Sequence, residues 1–353
     1  MKPENKEKVI EVLKRNRRYV AMIGDGVNDV KSLKSAQVGV ALESGSGAAR
    51  GVADMVLVND QFSALPKALV EGRRTVSGIR DILKLYLSRN FALAIMFIAI
   101  FFFLGNVPLL PIQNMFYAFV SVSVIAFFMT IFAKPSENKE LILPEVLRFC
   151  LPSAITIGFM GVILYVLVWF MTDSGIMVLD FSYLENQVTF WNQSVDEIAN
   201  SHLVWNSSYD YSTLEAQREM AARNCMVLFA SVIGALQLLI VCPRYKFLSM
   251  DGRVNKSILP IFLEILVLGA VFLMYSTFPE VATFAGMLIL PDMGFAIVLI
   301  FVVITWILIL LAVKKDLMKN LVNRFEVFYH RKLDREYTKG DVVDVDGGFK
   351  KPE

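Results

Sequence analysis

Residues 22–42 read MIGDGVNDVKSLKSAQVGVAL, with two carboxylates, Asp25 and Asp29, four residues apart beside Gly24, Gly26 and Asn28. The run before them, RYVAMIG (18–24), is apolar, short and closed by glycine, which marks a buried strand. Asp25 then projects from the strand's C-terminal end, where open α/β sheets bind ligands. Flanking glycines let backbone N–H groups approach phosphate oxygens. Asn28 and Asp29 open the next helix, whose N-terminal dipole favours anions. Mg²⁺ takes one or two carboxylates together with phosphate oxygens and waters. Asp25 is therefore the predicted Mg²⁺ ligand, Asn28 and Asp29 support it, and Gly24 and Gly26 cradle phosphate. A plain helix cap accounts for one Asp or Asn, but not for GDGVND as a set.

Outward from this stretch, residues 1–75 alternate helix with strand. ENKEKVIEVLKRN spaces Val9, Ile10 and Leu13 as a helix does. NDVKSLKSA returns to helix, VGVAL to strand, GAARGVA to helix and MVLV to strand. Such alternation predicts a parallel sheet. Three strands are thin for an independent domain.

From about Ile82 the character changes. The 353 residues are 56% hydrophobic with 27 phenylalanines, and mean hydropathy is +0.54, above what a water-soluble domain carries. A span needs about 20 mostly apolar residues. Six segments qualify: 85–104, 110–133, 149–171, 223–242, 257–276 and 293–313. Their connections alternate in charge. Lys134, Lys139 and Arg148 lie in one, Arg244, Lys246, Arg253 and Lys256 in another, and Lys314 and Lys315 follow the last. Between them, 105–109 and 277–286 carry no Lys or Arg, and 172–222 holds eight acidic residues against one basic, Arg218. The positive-inside rule then puts both termini in the cytoplasm of a multi-pass protein of the plasma membrane. Loop 172–222 is expected to form an extracytoplasmic cap. The 314–353 tail is expected to be cytoplasmic, its Leu317, Leu321, Phe325 and Phe328 lying on the membrane surface.

Other features exclude. A net charge of +2 gives no field for nucleic acid. Cys150, Cys225 and Cys242 lie in or beside apolar runs without CxxC spacing, and His202 and His330 are isolated. The first twenty residues are too charged for a signal peptide. The sequons at Asn192 and Asn206 are read as chance occurrences.

With these residues in view, MIGDGVND followed by SLKSAQVGVAL resembles the hinge segment of P-type cation-transporting ATPases, members of the haloacid-dehalogenase superfamily. KPENK resembles that family's Pro-x-x-Lys element and puts Lys6 nineteen residues before Asp25. VADMVLVNDQFSALPKALVEGRRTVSGIRDILKLYLSRN resembles the stretch leading into the fifth transmembrane helix, with its Gly72–Arg73 pair. The resemblance covers residues 2 to about 313. It implies a partial Rossmann-like α/β fold of haloacid-dehalogenase type, a phosphorylation-domain segment (1–75), followed by a stalk and six-helix transmembrane bundle (76–313). It implies that Lys6 contacts an aspartyl phosphate, that Asp25 holds the catalytic Mg²⁺, that Asn28 and Asp29 shape the phosphate pocket, and that the basic stalk from Arg73 to Lys84 couples domain to membrane. A positive point charge beside a phosphoryl group also makes physical sense of Lys6.

Three family features are absent from the sequence: an Asp-Lys-Thr-Gly motif, a Thr-Gly-Glu loop and a nucleotide-binding domain. The expectation is the C-terminal portion of an ATP-driven pump, a fragment rather than half of a split enzyme, inactive alone. ATP is the substrate, the bilayer and a transported cation the partners, and the pump's N-terminal half the missing partner. Intramembrane polar residues offer Gln113, Ser121, Ser123, Asn224 and Gln237 as cation ligands; Glu264, Asn224 and Gln237 are polar candidates inside spans that more often serve as interhelical hydrogen-bond partners than as ligands. ESGSGAAR and VEGRR resemble a bacterial group associated with calcium uptake, so Ca²⁺ is the expected cargo. The competing readings are a non-catalytic membrane protein that regulates or scaffolds a partner, and a phosphatase of the same superfamily. Six spans argue against the latter.

Overall fold

The computed structural model describes residues 3–16, 18–135, 142–177, 214–248, 258–276, 290, 292–324 and 327. Most of the acidic loop, the loop 249–257 and the tail beyond 327 lie outside these residues, and with them the cap and most of the surface-helix expectation. The chain divides into two compact units, Met1–Thr75 and Val76–Glu353.

In the first unit, α1 (Pro3–Arg15) precedes β1 (Ala21–Gly24). A short 3₁₀ turn, Val27–Asp29, leads into α2 (Val30–Ser35), followed by β2 (Val38–Leu42), α3 (Gly47–Val52) and β3 (Met55–Leu57). The strands form one parallel sheet in the order β1-β2-β3, with Gly24 level with Ala41 and Leu42 with Leu57. Central β2 is the most buried strand, and Leu33, Ala41 and Ala49 form a small core with Met22, Val52 and Ala53. Of the three apolar residues that predict α1, only Ile10 is buried; Val9 and Leu13 are exposed. Gly39 lets α2 approach β2, since a Cβ there would meet the Leu33 carbonyl oxygen at 3.0 Å.

The second unit is helical. Helix α4 (Ala64–Leu104) begins within the first unit and runs unbroken through 41 residues. Then come α5 (Pro111–Ala118), a π-helical turn (Phe119–Ser123) and α6 (Val124–Phe132). They are followed by α7 (Ile142–Asp173), α8 (Leu214–Leu236), α9 (Leu238–Val241), α10 (Leu259–Ser276) and α11 (Asp292–Lys314). Among the described residues five helical segments are long and apolar enough to cross a membrane: Ala64–Leu104, Pro111–Thr130, Ile142–Asp173, Gln217–Val241 and Asp292–Lys314. The apolar part of α10, Pro260–Leu273, is shorter, so the six predicted spans appear as five plus one short helix. The protein is an integral membrane protein.

Helix α8 is the hub, its apolar window 78% buried against 28–39% for the other four, and it packs on α7, α11, α5, α10 and the π turn. Small residues permit the close crossings: added Cβ atoms would lie 2.7 Å from Ile95 at Gly158, 2.5 Å from Met96 Sδ at Gly161 and 2.6 Å from Ser121 Cβ at Gly234. Helix α8 ends at Gln237 because the ladder slips there. The Ile240 N–H donates to the Gln237 carbonyl, not to Leu236, and the freed Leu236 carbonyl accepts from Trp306 Nε1 at 3.3 Å.

Candidate functional site

Asp25 immediately follows β1, so the strand delivers its carboxylate to the C-terminal edge of the parallel sheet. Its backbone is pinned from the far side of the next crossover. The Ser46 N–H donates to the Asp25 carbonyl at 2.7 Å, and a Cβ at Gly45 would collide with that same oxygen at 2.7 Å. Ser46 also caps α3, its Oγ accepting from the Ala49 N–H at 3.2 Å. Sequence reasoning gave Gly45 and Ser46 no positional role; the Ser-Gly-Ser run before a helix is the signal that marks them.

The Asp25 side chain is exposed, with no hydrogen bond or ion pair among the described residues, and Asn28 beside it is exposed too. Asp29 differs. It is 6% exposed, its Oδ1 accepts from Lys6 Nζ at 2.7 Å, and its Oδ2 accepts from the Gly26 N–H at 3.4 Å. The Lys6 hydrogen bond holds the Asp29 carboxyl below the usual carboxylate range, against the opposing effect of burial, and the Gly26 N–H adds to it. Gly24 is buried against this carboxylate: a Cβ there would meet Asp29 Cβ at 2.6 Å. The fold thus brings Lys6, Gly24, Gly26, Asp25 and Asp29 together, with Asp29 and Lys6 satisfied by each other and Asp25 open.

This arrangement fits Mg²⁺ in part. The ion accepts a single carboxylate when phosphate oxygens and waters fill the remaining positions, and Asp25 is such a carboxylate, uncommitted and accessible. No cluster of three or more His, Cys, Asp or Glu able to hold a metal occurs among the described residues, so most of the coordination must come from substrate and water.

The membrane candidates lie on α5, the π turn, α8 and the α8–α9 break. Gln113 accepts from the Leu110 N–H at 3.0 Å and caps α5, whose first residue is Pro111. Ser121 is buried in the π turn and donates to the Tyr117 carbonyl at 2.6 Å, whereas Ser123 is exposed and donates to Ala118. Asn224 Nδ2 donates to the Met220 carbonyl at 2.9 Å. Thirteen residues of helix separate Asn224 from Gln237, about 20 Å at 1.5 Å per residue, so the two cannot share an ion. Arg89 is a further obstacle near α5. It bonds Asn114 Oδ1 at 2.8 Å and lies over the Tyr117 ring at 4.7 Å, setting a positive charge beside this group. The stalk cations are also engaged: Arg80 and Lys84 both pair with Glu145 of α7, at 3.0 and 2.9 Å.

Residues 2–69 match the haloacid dehalogenase-like hydrolase family. The chain is 32% identical over 168 residues to a calcium-transporting ATPase, CtpE, of Mycolicibacterium smegmatis, the match covering 45% of this chain and 21% of the relative. It is 34% identical over 175 residues to calcium-transporting ATPase 1 of Bacillus cereus, covering 46% and 20%. It is also 32% identical over 126 residues to a P-type magnesium-transporting ATPase of Salmonella typhimurium, covering 35% and 14%. The chain is related to the P-type cation-transporting ATPases. The matches span about a fifth or less of these relatives' own length.

Proposed function

We propose that this chain contributes the Mg²⁺-holding part of a phosphorylation centre and a membrane bundle to an ATP-driven cation pump. One observation carries the reading: among the described residues the uncommitted Asp25 carboxylate stands at the sheet edge beside the Lys6–Asp29 pair, and five helices are long and apolar enough to cross a membrane. Mg²⁺, when bound at Asp25, supplies charge compensation for phosphate oxygens. Asp25 orients that charge, Lys6 places a second positive charge within reach of the same edge, and Asp29 with Asn28 shapes the pocket wall. Gly24 and Gly26 keep the wall free of side chains. The 353 residues hold no Asp-Lys-Thr-Gly, so a phosphorylated aspartate and a nucleotide site must be supplied to them, and these residues alone are expected to hydrolyse no ATP.

Ca²⁺ is the proposed cargo, supported by two relatives that bear calcium transport in their names. Six crossings are proposed, α10 being the short sixth, in a plasma membrane with both termini cytoplasmic. In that frame the continuous α4 is the stalk that couples the phosphorylation unit to the bilayer. The test is phosphoenzyme formation from γ-labelled ATP when the chain is joined to a segment carrying Asp-Lys-Thr-Gly and a nucleotide domain. Labelling stimulated by micromolar Ca²⁺ is expected. ATP turnover by the purified chain alone overturns the account of the missing aspartate, and Ca²⁺-independent labelling overturns the cargo.

A further inference from the structure

Several buried polar side chains of the helical unit satisfy themselves locally: Ser121, Thr172, Asn224 and Thr305 each donate to a carbonyl four residues earlier. Glu264 does not. It lies on the stripe of α10 formed with Leu263, Val267 and Val271 and is 3% exposed, while Phe262, Ile265 and Leu266 face outward. Both its carboxylate oxygens are buried without a hydrogen-bond partner, and no ion pair or electrostatic partner exists for it among the described residues.

Helices α8 and α9 pack on α10. Helix α9 carries no titratable residue, and the charged residues of α8, Glu215, Arg218, Glu219 and Arg223, all lie in its first ten positions. Arg223 is fourteen residues before Gln237, about 21 Å along the axis, and Cys225 is almost as far. Cys242, just beyond α9, has Asp81, Lys84 and Lys134 in its own surroundings. At this end α8 and α9 offer instead the Gln237 side chain, 2% exposed, with its Nε2 also unpartnered, at the break in the helix. Gln237 stands four residues before the end of α9 and Glu264 five after the start of α10. The intervening segment joins these two ends, so both groups lie at the same end of the hairpin, roughly 6–8 Å inside it.

An ionised carboxylate in such surroundings is neutralised by a proton or by a bound cation where, as here, no protein group among the described residues does so. We infer that Glu264 is an intramembrane proton-binding site, neighboured by the Gln237 amide, from which a metal cation displaces the proton. This rests on the proposed placement of α10 in the bilayer, not on ATP-driven transport. It also supplies an acid where the other candidates are neutral: Ser121 and Asn224 donate to their own helices, and Arg89 sets a positive charge near α5.

The full chain in phosphatidylcholine vesicles is treated with the hydrophobic reagent dicyclohexylcarbodiimide, and the Glu264 peptide is read by mass spectrometry. A protonated carboxyl transfers its proton to a carbodiimide nitrogen while its oxygen adds to the central carbon. Acyl migration then gives a stable N-acylurea with no atom lost. Labelling at Glu264 is expected at about pH 6, falling roughly tenfold per pH unit above its midpoint. It is expected to fall also with millimolar CaCl₂, to vanish in Glu264→Gln, and to shift its midpoint in Gln237→Leu. Absence of label at low pH overturns the proposal, and label indifferent to CaCl₂ overturns displacement by a cation. Equal labelling by a water-soluble carbodiimide shows instead that the bilayer placement is wrong. A failure of pumping leaves the labelling pattern unchanged.

Discussion

Lys6 Nζ sits 2.7 Å from Asp29 Oδ1, and this bond ties the first helix of the chain to the turn that follows β1 across 23 residues of sequence. The pair is asymmetric, since the Asp29 side chain is 8% exposed and that of Lys6 34%. Removing Lys6 strands a buried carboxylate. Removing Asp29 leaves an ammonium that water can reach.

Lys6→Ala is therefore expected to destabilise the first unit more than Asp29→Asn does, by about 1–2 kcal/mol against under about 1 kcal/mol. Urea unfolding followed by protease susceptibility of residues 3–60 reads the order. Equal effects contradict the asymmetry.

The same pair sets an acid sensitivity. Asp29 titrates below its usual value of 3.8 in the folded chain, so the unfolded state binds the proton more readily. The stabilisation is complete above that usual value and is lost as pH falls through the lower folded one. Lys6→Met should flatten the stability profile in that window, and an unchanged acid limb contradicts the pairing.

Asp25→Ala is expected to separate function from fold. The carboxylate makes no protein contact among the described residues, and its backbone is held through Ser46, so stability should change by less than about 0.5 kcal/mol. Mg²⁺-dependent phosphoenzyme in the complete pump should be abolished. Gly45→Ala should do the reverse, displacing the Asp25 backbone and lowering both stability and labelling.

Glu145 holds two buried cations, Arg80 and Lys84, between α4 and α7. Glu145→Gln leaves both without that carboxylate and should cost about 3–5 kcal/mol, read as thermal aggregation in detergent. Replacing Arg80 by Met in the same background should recover part of the loss.

Gly234→Ala should destabilise the bundle by about 1–3 kcal/mol, because the new methyl meets Ser121 Cβ on another helix at 2.6 Å. Gly269→Ala, with nothing within 4 Å, is the matched control and should be neutral or stabilising. Similar losses at both sites would remove the packing explanation.

The elements of residues 3–57 were legible in the sequence because each carries a local signal: GDGVND and VGVAL mark strand ends and a turn, and their neighbours alternate in period. The spans were legible for the same reason, as long apolar runs. The exception is α10, whose short apolar part of Pro260–Leu273 reads more weakly once its helix limits are known. Intramembrane chemistry was less legible. Ser123 and Ser121 look alike in sequence, yet one is exposed and the other buried in a π turn whose extra residue rotates the following face.

The sequence by itself determined that a carboxylate turn at a strand end is joined to a long apolar helical chain, since strand, turn and span signals depend on residues close together. Only the tertiary structure decided which polar groups are already satisfied. Hydrogen-bond partners such as Lys6 for Asp29 or Glu145 for Arg80 and Lys84 lie tens of residues apart, and among the described residues Asp25 and Glu264 have none. Partner geometry across that distance is set by packing, which no local pattern encodes.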